Sequence, residues 1–156
     1  RLNEFPNLIV LQTFSKAWGL ASLRLGMAFA NKVVIDILNK IKTPYNISGL
    51  TQNTVLAALN NASKKDAMVA EIKIERERLG NALSAFEQVQ IVYPTEANFF
   101  LVQMKSDAKG LYDRLIDKKI IVRDRSKVVL CEEGLRITVG TKEENDKLLN
   151  ALKEIL

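Results

Sequence analysis

Apolar and polar positions alternate in different rhythms along the chain, and each rhythm predicts an element. Residues 7–13, NLIVLQT, are β-branched and almost continuously apolar, the pattern of a strand buried on both faces as in a parallel sheet. Residues 25–30, LGMAFA, predict a second strand. Asn31 then caps a helix running to about Lys42, with Val34, Ile37, Leu38 and Ile41 at three- and four-residue spacing. TPYNISG ends it, because Pro44 forbids continuation and biases Thr43 to extended backbone.

Helical spacing resumes at about Thr51–Asn61. Ser63 opens SKKD, a start resembling a capping box with Asp66 in the place of the usual Glu or Gln. The segment to Phe86 carries Met68, Ile72, Leu79, Leu83 and Phe86 along one side. At about 1.5 Å per residue it spans on the order of 30 Å, long enough to bridge two lobes. Beyond it, strands are expected at Val89–Tyr93, Asn98–Met104, Ile120–Arg123 and Leu135–Val139, with a helix at Lys109–Lys118. Thr141 in TKEE caps a last helix whose apolar stripe is Leu148, Leu149, Leu152 and Ile155. The expected organisation is a first region, 1–62, and a compact α+β domain, 63–156, entered by the long helix.

Composition narrows the chemistry. The 156 residues are 47% hydrophobic, enough for one ordinary domain or two small ones. No run of 18 apolar residues and no signal-peptide pattern occurs, so a membrane partner is not expected and a cytoplasmic location is the default. The chain has one cysteine, Cys131, and no histidine, so an internal disulfide and histidine-based triads are excluded and no metal site is expected. The net charge of +5 is spread through groups interrupted by acids. Without an aromatic series among them, nucleic acid is not an expected partner. Arg1 stands where a start methionine would, and a strand begins by Leu8, so the chain reads as part of something longer.

The stretch TFSKAWGLASLRLG, residues 13–26, is the candidate for chemistry. A lysine is a nucleophile only when its amine is neutral, which requires a cationic neighbour or a desolvated pocket. Lys16 follows a strand, at the kind of position where strand ends collect ligands in α/β sheets. Thr13 and Ser15 offer hydroxyls, and Arg24 offers a fork suited to phosphate. By spacing alone this signal is weak, because a lysine after a strand is usually a solvated loop residue.

T-x-S-K followed by R-x-G, with Arg24 eight residues after Lys16, resembles the lysine segment of fold-type I pyridoxal-phosphate enzymes, the aminotransferase superfamily. TPYNIS, EANFFLV, IIVRDRS and LRITVGTKEENDKLLNAL follow in the order found in the C-terminal part of the histidinol-phosphate aminotransferase family. The resemblance implies an α/β fold, the end of the large-domain sheet plus a small α+β domain. It implies pyridoxal 5'-phosphate as cofactor, carried covalently by Lys16, the catalytic residue, with Thr13, Ser15 and Arg24 gripping its phosphate. It further implies that Arg136 of LRITVG binds the acidic group of the substrate and that Arg123 of VRD helps to bind a substrate phosphate.

Period-2 alternation agrees, sending Leu135, Ile137 and Val139 to one face and Arg136 with Thr138 to the other. Arg125, two residues after Arg123, shares its face. Trp18 is read as packing, Asn98 as a strand-start residue, and Tyr45 with Asn46 as a turn.

The implied reaction is a ping-pong transamination between a phosphorylated amino-alcohol and glutamate or 2-oxoglutarate, by a homodimer, within histidine biosynthesis. The family's remaining part carries the aspartate paired with the pyridine nitrogen, the aromatic residue stacked on the ring and most of the large sheet. The 156-residue chain alone is therefore expected to be inactive, and its open strand 7–13 to self-associate. Two other readings remain open. One is a related enzyme of the threonine-phosphate decarboxylase type or another aminotransferase, and the other is a non-catalytic interaction domain.

Overall fold

The runs 7–13 and 25–30 pair with each other in the computed structural model, which describes residues Arg1–Leu156. Strand β1 (Val10–Thr13) and strand β2 (Gly26–Phe29) form a two-stranded antiparallel sheet, Val10 opposite Phe29 and Thr13 opposite Gly26. The β1–β2 pairing is antiparallel where the run suggests a parallel sheet, and every residue of β1 is exposed in this chain, Leu11 at 75%, the open apolar strand that the sequence leads one to expect of this chain by itself. Apolar β-branched residues select extended backbone, but the connection decides direction. Here residues 14–25 double back through turns and a short 3₁₀ segment, Ala21–Leu23, with no crossover helix, and the second strand returns antiparallel.

Helix α1 (Lys32–Ile41) starts as its sequence predicts, the Asn31 side chain accepting the Val34 N–H at 3.0 Å. Helix α2 (Gly49–Asn60) starts slightly earlier than expected, from Ser48, whose Oγ accepts the Thr51 N–H at 3.1 Å. Helix α3 (Ala62–Ser84) corrects the capping box expected at Ser63. Ser63 lies inside the first turn, and the Lys64 N–H bonds to the Asn61 carbonyl at 3.2 Å. A terminal donor satisfied by backbone leaves no role for a side-chain cap at 63.

The chain forms two compact units, Arg1–Val69 and Ala70–Leu156, the boundary falling within α3. The sequence reading places its division at 62/63, where that helix begins. No helix is long and apolar enough to cross a membrane.

In the second unit, β3 (Val89–Val92), β4 (Phe99–Met104), β5 (Arg123–Asp124) and β6 (Gly134–Thr138) form an antiparallel sheet in the order β3-β4-β6-β5. The strand expected at 120–123 is corrected to the two residues Arg123 and Asp124. Ile120 and Val122 pack against the core, but Ile121 is 84% exposed and outside the ladder. One sheet face, carrying Phe100, Val102, Leu135 and Ile137, forms the core with Leu79 and Leu83 of α3. Leu111 and Leu115 of α4 (Ala108–Asp117) and Leu148 and Leu152 of α5 (Lys142–Ile155) complete it. The approach of α3 is close enough to demand glycine: a Cβ on Gly80 would meet the Phe100 ring at 2.9 Å. Helix α5 begins with the predicted capping box, Thr141 and Glu144 each bonding the other's backbone N–H. Trp18, read as packing, tilts against buried Phe14 with ring centroids 5.6 Å apart. At Asn98 the pairing role falls to the backbone carbonyl, which accepts from the Val139 N–H at 2.9 Å.

A buried carboxylate ties α3 to the turn before α5. Glu75 accepts from Arg78 Nε at 3.0 Å and Nη2 at 2.7 Å, and from Asn145 Nδ2 at 2.8 Å. The Asn145 carbonyl oxygen takes the Gly140 N–H at 3.0 Å, and Arg78 also pairs with Asp146 at 2.7 Å. The hydrogen bonds from Arg78 and then Asn145 outweigh burial and hold the Glu75 carboxyl below its ordinary value of 4.5. A carboxyl depressed in the folded state binds fewer protons than in the unfolded chain. Its stabilisation is therefore complete above about pH 4.5 and is lost as pH falls through the folded value. Glu75→Gln is expected to cost about 1–3 kcal/mol near neutrality. Melting followed by circular dichroism from pH 7 to pH 3 should show this deficit shrinking as acid removes the same interaction from the wild-type chain.

Candidate functional site

Lys16 occupies a loop whose base is stitched closed. The Phe14 N–H donates to the Leu25 carbonyl at 3.3 Å, and the Leu20 N–H donates to the Phe14 carbonyl at 3.0 Å. The Gly19 N–H closes a turn onto the Lys16 carbonyl at 2.8 Å, with Gly19 at φ +65°. Phe14 and Trp18 anchor the loop on either side of Lys16, whose own side chain is exposed. Lys65, at the start of α3, lies over the Trp18 ring at 5.3 Å.

Thr13 and Ser15 sit together at the end of β1. Their hydroxyl oxygens are 2.9 Å apart, and the Ser15 N–H donates to Thr13 Oγ1 at 3.1 Å. Arg24 is left-handed at φ 52° and ψ 39°, and its Nη1 donates to the Ala21 carbonyl at 3.1 Å. A non-glycine residue there is uncommon and concentrates at ligand clamps. It also lets the chain turn sharply into β2, so Arg24 precedes the strand that pairs with the one ending in Thr13. No carboxylate lies within ion-pair distance of Lys16 or Arg24. The two hydroxyls are brought together, and hydroxyls, a guanidinium and an ammonium without an internal counter-ion are donor types that suit an anion such as a phosphate monoester. By chemical type these residues fit the phosphate and the aldehyde of pyridoxal phosphate.

The second unit brings the other arginines together. Arg123 of β5 and Arg136 of β6 are direct cross-strand partners, so both project from the same sheet face, opposite the core. Strand β6 is interior, between β4 and β5. Like charges directly opposite on adjacent strands are destabilising. The Arg136 guanidinium lies over the Phe99 ring at 5.1 Å, and its buried Nε has no hydrogen-bond partner in the chain. Phe99 escaped the sequence reading, though EANFFLV contains it; two strands must be aligned before a residue of β4 is seen to flank one of β6. The left-handed Arg24 has no local sequence signature; the turn after Asp124 has one, an aspartate whose side chain accepts the N–H two residues on, and it too is absent from the sequence reading.

The family model for class I and II aminotransferases matches residues 1–152. The chain belongs to that family. A histidinol-phosphate aminotransferase from Cytophaga hutchinsonii is 53% identical over 97% of this chain and 43% of its own length. The enzyme of the same name from Parabacteroides distasonis is 53% identical over 99% of this chain and 44% of its own. Among solved structures, histidinol-phosphate aminotransferase from Sinorhizobium meliloti, in complex with pyridoxal-5'-phosphate, aligns with a TM-score of 0.82 and 28% identity. That alignment covers 96% of this chain and 41% of the other.

The fold is that of the fold-type I aminotransferases, as the sequence implies. This chain spans less than half the length of the curated aminotransferases it matches.

Proposed function

We propose that this chain is the C-terminal part of a histidinol-phosphate aminotransferase, which exchanges an amino group between a phosphorylated amino-alcohol and glutamate. The observation that carries the reading is the Arg123–Arg136 pair with its orphaned buried Nε, a doubly cationic feature suited to a phosphate ester. The 53% identity to relatives of that name supports the same substrate class.

The residues that would hold pyridoxal phosphate are Lys16, bonding covalently through Nζ, and Thr13, Ser15 and Arg24 at its phosphate. When bound, the cofactor supplies the electron-withdrawing ring that makes the proton on the amine-bearing substrate carbon removable. With its Nζ free, Lys16 would accept that proton as a general base and return one as a general acid. The closed loop base and the Phe14–Trp18 contact limit where the Lys16 backbone can move. Such positioning is what proton transfer between two fixed carbons needs. Arg136 binds the substrate's acidic group in either half-reaction, a carboxylate or a phosphate suiting the same planar fork, and Arg123 adds a second cation for the dianionic phosphate. The family resemblance also supports a cytoplasmic homodimer.

A substrate panel on the full-length enzyme tests the reading. Histidinol phosphate with 2-oxoglutarate is expected to yield glutamate with a kcat/KM at least about tenfold above that for unphosphorylated histidinol, since one lost charge-assisted contact already costs that much. Carbon dioxide release from threonine phosphate as the dominant reaction would instead establish the decarboxylase alternative.

A further inference from the structure

A strand of two residues is a poor support for a binding group. Strand β5 is Arg123 and Asp124 alone, at the edge of the sheet, paired only with β6. Its registration places Arg123 opposite Arg136, an unfavourable pairing of like charges. A slip of one residue would turn Arg123 to the other face. Something outside the ladder must hold the register.

The structure holds it through the turn that follows. Asp124 Oδ1 accepts the Ser126 N–H at 2.8 Å and the Ser126 hydroxyl at 2.6 Å, both partly buried. The Arg125 N–H extends the pairing to the Gly134 carbonyl at 2.8 Å, and the Val128 N–H turns back onto the Arg125 carbonyl at 2.8 Å. Gly134 must be glycine for this return, because a Cβ there would meet the Cys131 carbonyl at 2.5 Å. Asp124 lies opposite Leu135, a core residue, and so on the face away from Arg123 and Arg136. Its carboxylate is bound to the turn and not to either arginine. The hydrogen bonds from the Ser126 hydroxyl and then its N–H hold this carboxyl below its ordinary value, overcoming partial burial. The ionised acceptor is thus the form that the turn stabilises.

We infer that Asp124, through its bonds to Ser126, is a positioning residue that keeps Arg123 opposite Arg136 and so sets affinity for the phosphate of the substrate. The inference rests on the proposed role of Arg123 and goes beyond it, since Asp124 itself touches no ligand. Its action is selective. Loss of the turn disturbs the phosphate-specific cation Arg123 and leaves Arg136, held in the middle of the sheet, in place.

The experiment uses the full-length holoenzyme and steady-state kinetics with both substrates. Asp124→Ala is expected to raise KM for histidinol phosphate about tenfold, and the inhibition constant of inorganic phosphate similarly, while KM for glutamate and kcat stay within about twofold. Asp124→Asn keeps the acceptor oxygen and should remain within about twofold of wild type. Ser126→Ala, which removes the hydroxyl bond and keeps the backbone one, should give about a threefold rise and serves where Asp124→Ala folds poorly. Arg123→Gln separates the two levels. If it leaves KM for histidinol phosphate unchanged, the proposed role of Arg123 fails. If it raises that KM while Asp124→Ala and Ser126→Ala do not, the positioning role alone is overturned. Equal rises for both substrates in Asp124→Ala would also overturn it, as the mark of a general structural defect.

Discussion

Lys16→Ala in the full-length enzyme is expected to lower kcat by at least about 10³-fold, the scale of removing a positioned general acid–base group together with a covalent anchor. The loss should be chemical and not conformational. The Lys16 side chain is exposed, and the loop around it is held by backbone hydrogen bonds and by Phe14 and Trp18. Its melting temperature should therefore stay close to wild type. Two measurements separate the roles of Nζ. Borohydride reduction followed by peptide mass mapping should find a stoichiometric phosphopyridoxyl group on the peptide containing Lys16 and none on that peptide in the variant. Small primary amines added to Lys16→Ala should restore part of the turnover, because a free amine can carry the proton but lacks the positioning that makes the intramolecular transfer fast. A stable, stoichiometric adduct that survives the substitution would overturn the assignment of Lys16.

The elements with local causes were legible in the sequence. Asn31 and Thr141 cap the helices their spacing predicts, and the alternation through Leu135, Arg136 and Ile137 gives the burial found in β6. What was not legible depends on partners distant in sequence. Run 7–13 is legible as an apolar strand, but its antiparallel partner is not, because the direction of pairing is set by the connection through residues 14–25. Ser63 looks like a cap, but the end of α2 at Asn60 leaves the Asn61 carbonyl to do that work.

The candidate site divides in the same way. Lys16, Thr13, Ser15 and Arg24 share one short motif, and the structure gathers the two hydroxyls at the end of β1. Arg123 and Arg136 are separated by a turn whose length does not fix their registration. Only the pairing of β5 with β6 shows them to be opposite each other, and only that pairing gives Asp124 a reason to matter.

Arg136→Leu should show opposite effects on activity and stability. A bidentate contact of a guanidinium with a carboxylate or phosphate comprises two charge-assisted hydrogen bonds, each worth about 1.5–3 kcal/mol. Their loss should lower kcat/KM by about 10²–10⁴-fold for histidinol phosphate and for glutamate alike. Arg136→Lys should recover only part of it, since an ammonium cannot present the planar fork. The ligand-free protein has less to lose. Arg136 faces a like charge across the ladder, and its Nε is buried without a partner, both unfavourable in the absence of an anion. A leucine keeps the contact with Phe99 through dispersion and removes both penalties, so the melting temperature should hold steady or rise by about 2–4 °C per kcal/mol recovered. Loss of activity with retained or increased stability is the expected mark of a residue held for binding at the expense of the fold. A fall of several degrees with little change in kcat/KM would instead make Arg136 a structural residue and remove the main support for phosphate recognition on this face of the sheet.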